Sequence, residues 1–433
     1  MLKIFYCELY TFLSYFSIEI LAIFSEIYAT EPIMCYNSRQ MGMKKKKRIG
    51  VLVELTREFG RGICRGITAF ASEVGDIDPV FISPKSLSLR KYLRSFDGFI
   101  ARVMTEEIAS ALAATGKPII DVYYDKPREG FAIVKTNHAR VGRIAAQHFI
   151  ERRFQHFGFC GFSGGRFSTY CLLAYQHALR LVGHTCEIYT PRNDIRYDFD
   201  SASLIAEILS PAPDAAALLK WIKAVPKPIA IFCPNDLRAW QLLQVCKDAG
   251  LDVPRDIAIL GLDNDAIVCG FCQPMISSID PDTPAIGRES ARTLAEIISH
   301  PRMMKRPIVR QVNPVGVAER ASTETYPLKP EWLSDALVFI HRHIADGISA
   351  EDVFRHLGLS HTVVCREFRR ALGTTVQKEI AKSRLDEARH LLKTTALSVS
   401  EIAVRAGFAS NTYFQHSFSA AHGIPPLEYR RRN

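Results

Sequence analysis

The last hundred residues of the chain repeat themselves, and that repeat restricts the fold more than any other feature. Ile348-Ser-Ala-Glu-Asp-Val353, Leu357-Gly358-Leu359-Ser360, Val364 and Phe368 recur as Leu397-Ser-Val-Ser-Glu-Ile402, Ala406-Gly407-Phe408, Phe414 and Phe418. The offset is 49 residues up to Gly407 and 50 from Ser410 onward, because Ala409 is one extra residue in the second turn. It persists through Ala371-x-Gly373 and Ala421-x-Gly423. Each copy reads as a helix, a turn carrying Gly358 or Gly407, and a second helix capped by Ser360 or Ser410. Glycine takes the left-handed turn that other residues resist, and a serine hydroxyl accepts from the first free amides of a helix. One copy alone fits a plain helical hairpin. Two copies joined by one long helix, residues 375–393, specify tandem helix-turn-helix units.

The outward faces of the two second helices can be read directly. In the first copy Val364 and Phe368 point inward, leaving His361, Thr362, Val363, Cys365 and Arg366 outward. In the second, Phe414 and Phe418 point inward, leaving Asn411, Thr412, Gln415 and His416 outward. Asn and Gln suit adenine, Arg suits guanine, and Thr or Val meets a thymine methyl. A merely solvated helix face carries Lys and Glu, whereas this second face is polar and nearly uncharged. Residues 331–433 hold 14 Lys+Arg against 11 Asp+Glu, so groove contacts and helix N-termini, not a basic patch, would carry DNA binding. The first copy has Phe354 where the second has Ala403, in the slot where the paired helices pack closely.

Upstream the pattern changes. Short apolar runs at 49–53, 98–101, 119–122, 157–160, 229–233 and 257–261 read as buried parallel strands. Helical stretches at 62–74, 106–115, 139–152, 169–182, 215–224 and 237–249 separate them. Alternation of this kind implies parallel sheets with right-handed crossovers, and about 270 residues is large for one sheet, so two lobes are expected. Ligands in such sheets bind at the carboxyl ends of the strands. Those ends are polar here: Glu54 leading to Arg57, Phe59 and Arg61; Thr136-Asn137-His138; Arg166-Phe167-Ser168; Pro234-Asn235-Asp236; and Asp263-Asn264-Asp265. Neutral sugars need fixed donors and acceptors around each hydroxyl and an aromatic ring against the C–H face. Any one of these residues is explained as a helix cap or turn former, but five polar strand ends favour a sugar cleft.

The stretch from Arg48 to about Arg320 resembles the effector domain of LacI/GalR-type repressors, itself related to periplasmic sugar-binding proteins. RIGVLVE at 48–54, CPNDLRAWQLLQVCKDAGLDVPRDIAILGLDN at 233–264 and ISSIDPDTPAIGRESARTL at 276–294 carry the likeness. The resemblance implies sugar contacts from Asn235, Asp236 and Asp263; Arg61, Asn137, Arg166 and Ser168 complete the candidate ligand set. Two departures stand out: Asn137 replaces the usual acidic residue, and Cys171-Leu172-Leu173 occupies the place of a customary Arg. Residues 331–432 are similar to the DNA-binding domain of AraC/XylS-type activators, and ALSVSEIAVRAGFASNTYFQHSFSAAHGIPPLEYRR at 396–431 follows that family's signature nearly throughout. A LacI-type lobe pair placed before an AraC-type domain is the order of parts found in regulators of xylose operons.

The fold expected is therefore an α/β two-lobed periplasmic-binding-protein-like domain, 44–322, a linker, 323–330, and an all-α C-terminal domain, 331–433, with two helix-turn-helix motifs. The function expected is a cytoplasmic, ligand-responsive transcription regulator that activates sugar-catabolism genes. Its expected partners are double-stranded DNA, a small sugar effector and a second copy of the chain, with RNA polymerase as a further candidate. The DNA-binding candidates are Thr362, Val363, Cys365, Arg366, Asn411, Thr412, Gln415 and His416. A sugar receptor or transport component with a helical interaction tail is the alternative, and a sugar-modifying enzyme a third reading. No nucleophile elbow, P-loop or dinucleotide fingerprint stands in the sequence to support an enzyme.

Composition agrees without deciding. The excess of 55 Lys+Arg over 45 Asp+Glu allows an anionic partner, but half of it sits in one run, Lys44-Lys45-Lys46-Lys47-Arg48. The 11 cysteines are scattered, and the single close pair, Cys269-x-x-Cys272, has no second pair at zinc-ligand spacing. Neither a metal nor a cofactor is expected. Residues 1–43 are apolar and aromatic but broken by Glu8, Glu19 and Glu26, too short of uncharged length for a bilayer span and unlike a signal peptide. They read as a disordered extension or an extended gene start, with Met41 or Met43 as initiator and no membrane partner; a membrane-associated anchor is the lesser alternative.

Overall fold

The computed structural model describes residues 46–123, 128–162, 166–189 and 214–432. The expectations for residues 1–43 fall outside these described residues. In chain order the first lobe opens with β1 (Lys47–Leu52), α1 (Glu58–Val74), β2 (Ile77–Phe81), a one-turn α2 (Arg90–Leu93), β3 (Gly98–Ala101), α3 (Glu106–Ala113), β4 (Ile119–Asp121) and β5 (Phe131–Thr136). The second follows as α4 (His138–Glu151), β6 (His156–Cys160), α5 (Arg166–Arg180), β7 (Glu187–Tyr189), α6 (Ala215–Ala224) and β8 (Ile229–Phe232). It continues through α7 (Asp236–Asp248), β9 (Ile257–Leu262), α8 (Ala266–Gly270) and β10 (Ser277–Asp280). Then α9 (Thr283–Ser299) and β11 (Val309–Val312) return to the first lobe, and β12 (Gly316–Ala318) closes the second.

Two sheets result. The first has the order β11-β5-β4-β3-β1-β2 and is parallel throughout; the second has β12-β10-β9-β8-β6-β7, parallel except for β12. Both therefore repeat one plan: a single strand, β2 or β7, lies on one side of β1 or β6, and the other four lie on the opposite side. The strand order reverses beside β1/β3 and β6/β8, and the crevice there is where such sheets hold ligands. The central strands β1, β3, β8 and β9 are apolar because helices cover both faces, which buries Ile49, Phe99, Ile231 and Ile259 completely.

The chain passes between lobes three times: at Thr136–His138, at Asp280–Thr283 and at Val312–Gly316. Asn137 and Asn313, on two of these passages, hydrogen-bond side chain to side chain at 2.9 Å. On lobe one, α1 and α9 pack backbone to backbone. A Cβ on Gly66 would stand 1.9 Å from the Pro284 carbonyl oxygen, and one on Gly287 1.9 Å from that of Ile63. Only glycine permits this approach.

The C-terminal part is helical: α10 (Trp332–Arg342), α11 (Ala350–Leu357), α12 (His361–Glu367), α13 (Val376–Thr394), α14 (Val399–Arg405), α15 (Asn411–His422) and α16 (Pro426–Arg432). It has two separate cores. Leu333, Leu337, Ile340, Val353, Val364 and Phe368 form the first, and Ile402, Ala406, Phe408, Phe414 and Phe418 the second. The long α13 serves both, giving Val376 and Ile380 to one and Ala388, Leu391 and Leu392 to the other. Its 19 residues span about 28 Å.

Candidate functional site

A cavity of about 70 Å³ lies between the lobes, room for about five waters at 10–15 Å³ each. Its walls come from the loops at the two strand-order reversals. Arg57 and Phe59 follow β1, Arg102 follows β3, Phe167 lies beyond β6, Pro234 and Asn235 follow β8, and Asp263 follows β9. Tyr123, Lys135, Thr136 and His138 complete the wall near the first passage.

Arg102 is the most constrained of these groups. Its side chain is nine-tenths buried, forms an ion pair with Glu54, and stacks at 5.4 Å from the Phe59 ring and 4.8 Å from the Tyr123 ring. Burial, with the neighbouring Asp236, pushes the Asp263 carboxyl well above the usual range, against the pull of Arg57 and Arg102. The Asp263 backbone is itself held at φ 110°, a left-handed conformation that a non-glycine residue adopts only under local constraint. Asn235 is buried, and its Oδ1 accepts from the Arg238 amide at 2.8 Å, which caps α7 and directs the rest of the amide to the cavity.

Of the seven ligand residues expected from sequence, Asn235 and Asp263 line this cavity. Asp236 is turned into lobe two, where its carboxylate accepts from the Ser278 hydroxyl and, at 2.7 Å, from the Asp265 amide. Ser168 is likewise buried, its Oγ accepting from the Phe162 amide at 3.0 Å. Arg61 reaches across the mouth instead, donating to Asp265 Oδ2 at 3.2 Å and to the Thr56 carbonyl at 3.0 Å. Asn137 caps α4 at one inter-lobe passage, and Arg166 is exposed at the start of α5. The strand-end rule located the loops correctly, while the side chain within each loop that faces the cavity depends on backbone direction. Arg102 was missed although it follows strand 98–101 directly, and Tyr123 likewise follows β4.

Behind the cavity, Arg238 has no exposed surface and makes a bidentate pair with Asp214 at 2.6 and 3.1 Å. It also donates to Gln241 Oε1 at 3.0 Å and lies over the Phe162 and Tyr189 rings. This buried pair fixes the first turn of α7 and with it Asn235.

The helix-turn-helix geometry is present twice. In the second copy Ser398 and Glu401 form a reciprocal cap, Gly407 turns at φ 73°, and the Ser410 hydroxyl accepts from the Tyr413 amide at 3.2 Å. In the first, Ser349 and Asp352 cap α11 and Gly358 turns at φ 62°, but Ser360 makes no side-chain cap. The expected Ser360 cap is thus absent; without a counterpart of Ala409, Ser360 has φ −65° where Ser410 has −153°. The first recognition helix also loosens into a π-turn at Phe368–Leu372, whereas α15 runs unbroken. Phe354 is accommodated in the first core, with its ring edge-on to His361 at 4.7 Å.

Thr362, Arg366, Thr412, Gln415 and His416 are exposed, and Val363, Cys365 and Asn411 half-buried. Asn411 is held by bonds to Ser400 at 3.1 Å and Gln415 at 3.3 Å. Tyr413, 55% exposed on the same helix, is not among the candidates expected from sequence.

The two parts are wired together beside the third passage. Glu319, just after β12, accepts from Arg152, the C-cap of α4, and from His341 Nε2 of α10, the latter at 2.7 Å. Arg152 in turn donates to the Thr323 carbonyl at 3.1 Å, and Arg389 of α13 pairs with Glu151 at 3.6 Å. Arg152, His341 and the buried His148, whose Nδ1 lies 3.7 Å from Glu319 Oε1, hold the Glu319 carboxyl well below the usual range against the effect of burial.

Residues 146–323 match the model of the periplasmic binding protein-like domain, and residues 353–432 match a helix-turn-helix domain. The xylose operon regulatory protein of Escherichia coli strain K12 is 25% identical over 398 residues, covering 90% of this chain and 98% of that one. The HTH-type transcriptional activator AarP of Providencia stuartii is 34% identical over 98 residues, 23% of this chain and 73% of that one. A solved structure of a xylose-binding transcription activator superposes with a TM-score of 0.54 at 25% identity, covering 90% of this chain and 99% of that one. The chain belongs to the helix-turn-helix transcription regulators in which a LacI-like, periplasmic-binding-type sugar domain precedes an AraC-family DNA-binding domain, as in the xylose operon regulatory proteins.

Proposed function

We propose that this protein activates sugar-catabolism genes in the cytoplasm when a small sugar occupies the cleft between its lobes. The observation that carries the reading is the placement of one polar, aromatic-walled cavity at both strand-order reversals, with an ion-pair network leading from lobe two to the DNA domain. In this reading Asn235, Asp263, Arg57 and Arg102 contact the sugar, and Phe59 or Phe167 meets its C–H face. The sugar domain is assigned to 44–322 and the DNA domain to 331–433. Thr362, Val363, Cys365, Arg366, Asn411, Thr412, Gln415 and His416 face the major groove. Closure about the three passages changes the pose of the DNA domain through Glu319, and a homodimer presents two such domains to the promoter and to RNA polymerase. Selection from a random DNA library, with and without a panel of pentoses and hexoses, tests this. The expected product is a motif of paired half-sites about one helical turn apart whose enrichment changes with sugar. Recovery of no sequence motif would refute the regulator reading.

A further inference from the structure

We infer that Asn411 and Ser400 are positioning residues that make Gln415 read adenine and reject guanine. This deepens the base-reading assignment above and rests on it. Three side chains form one line of hydrogen bonds from α14 to α15. Asn411 Nδ2 donates to Ser400 Oγ at 3.1 Å, and Gln415 Nε2 donates to Asn411 Oδ1 at 3.3 Å. Ser400 lies in the first turn of α14, while Asn411 and Gln415 stand one turn apart on α15. Both ends of the Asn411 amide are therefore engaged within the protein. Its side chain is half-buried, whereas Gln415 is exposed to meet a groove.

The consequence lies in the N–H groups that Gln415 has left. A free glutamine amide turns either way. Its oxygen and one N–H match the N6 donor and N7 acceptor of adenine, or its NH2 group donates to the O6 and N7 acceptors of guanine. With one N–H held by Asn411, the amide offers one acceptor beside one donor, which complements adenine and sets an oxygen against the oxygen of guanine. Fixing a long exposed side chain beforehand also reduces the rotamer freedom lost on binding. The first copy is built differently. Glu351, His361 and Cys365 occupy the matching places, and His361 reaches Cys365 Sγ at 3.6 Å while packing edge-on against Phe354. The one-turn pair thus stands in both recognition helices, and the second copy anchors it to the preceding helix through Ser400.

Competition binding of the full chain to duplexes that differ at one base pair tests this. That base pair is the one whose preference Gln415→Ala erases, located by selection from a random library. The wild type should favour A·T over G·C there by about tenfold or more, as one good bidentate contact does. Asn411→Ala and Ser400→Ala should each narrow that ratio several-fold, with binding to unrelated DNA and melting by circular dichroism unchanged. Ser400→Thr keeps the hydroxyl and should keep the ratio. An unchanged ratio in either alanine variant, or a uniform loss of affinity at every sequence, overturns the relay and leaves Gln415 as the reader. A wild-type preference for G·C at that position also overturns it. Lost preference at a different base pair in Asn411→Ala makes Asn411 a base contact itself and overturns its positioning role. Absence of any base pair that responds to Gln415→Ala overturns the inference and the base-reading assignment together.

Discussion

Replacing Asp214 by Asn should unfold lobe two far more readily than a single neutral substitution ordinarily does. Arg238 and Asp214 have no exposed side-chain surface, and their two hydrogen bonds, at 2.6 and 3.1 Å, form a bidentate pair. Asn keeps the shape and removes the charge, so the guanidinium remains buried with Gln241 and two aromatic rings as its chief other contacts. Breaking a buried pair on one side costs about 3–5 kcal/mol. At about 2–4 °C per kcal/mol for domains of this size, melting should fall by about 6–20 °C. Asn235 is held by the turn that Arg238 anchors, so sugar affinity should fall with it. Urea unfolding followed by tryptophan fluorescence measures the loss, because Trp221 and Trp240 pack on the lobe-two core. The paired change Asp214→Leu with Arg238→Met removes both charges and should recover most of the stability. A loss under about 1 kcal/mol in the single variant, or no recovery in the double one, would refute the reasoning.

Three further outcomes follow from other sites. Gln415→Ala should cost about 1–3 kcal/mol of DNA affinity and relax the preference at one base pair, as read by competition footprinting; inserting 5 bp between half-sites should abolish joint occupancy, since the α13 span sets both helices on one face. Glu319→Gln should leave sugar binding and DNA binding each measurable alone but remove most of the sugar-induced change in DNA affinity, which normally amounts to about 5–150-fold in coupled systems. Burial pushes the Asp236 carboxyl from its ordinary 3.8 up to about 7. The folded chain therefore keeps a proton that the unfolded chain has released between those values, so stability falls as pH rises through that window. Asp236→Asn should flatten that part of the slope in denaturant titrations at successive pH values, and an unchanged slope would reject the assignment.

The sequence disclosed the central strands because they are apolar on both faces, and the tandem repeat because its glycine and core spacing is strict. The edges stayed hidden. β2 contains Pro79, β11 reads Val-Arg-Gln-Val and is largely exposed, and β12 has three residues, so none has the unbroken apolar run of a buried strand. Helix α9 is not among the helical stretches that the apolar pattern gives, although residues 276–294 carry the family likeness. The site divided the same way. The five polar strand ends all reach the cavity, while the loops after β3 and β4, which bring Arg102 and Tyr123, have no such polar cluster; Asp236 and Ser168 turn inward because Ser278, Asp265 and Phe162 claim their oxygens, a tertiary choice no local pattern displays. Arg102 directly follows the apolar run 98–101, but one cation after a strand carries no motif.

The three passages between lobes also set the order in which the protein can be completed. Lobe one begins at Lys47, yet its core includes Ile286, Leu294 and Ile297 of α9, and its edge strand β11 ends at Val312. Almost all of lobe two lies between. On a ribosome adding about 5–20 residues per second, the half made first waits on the order of 10 s for its missing helix. During that interval the part of its sheet that α9 covers, Ile100 and Ile120 included, lacks that helix, while α1 already packs on Ile49 and Val51. From later in the chain lobe two takes the short β12 and the turn at Ser322 and Thr323, which bonds to Ser277 and Ile259, a smaller addition than the helix and strand its elder neighbour awaits. Biosynthesis of this regulator therefore runs inward first, and the exposed sheet of the earlier segment is the natural client for a chaperone.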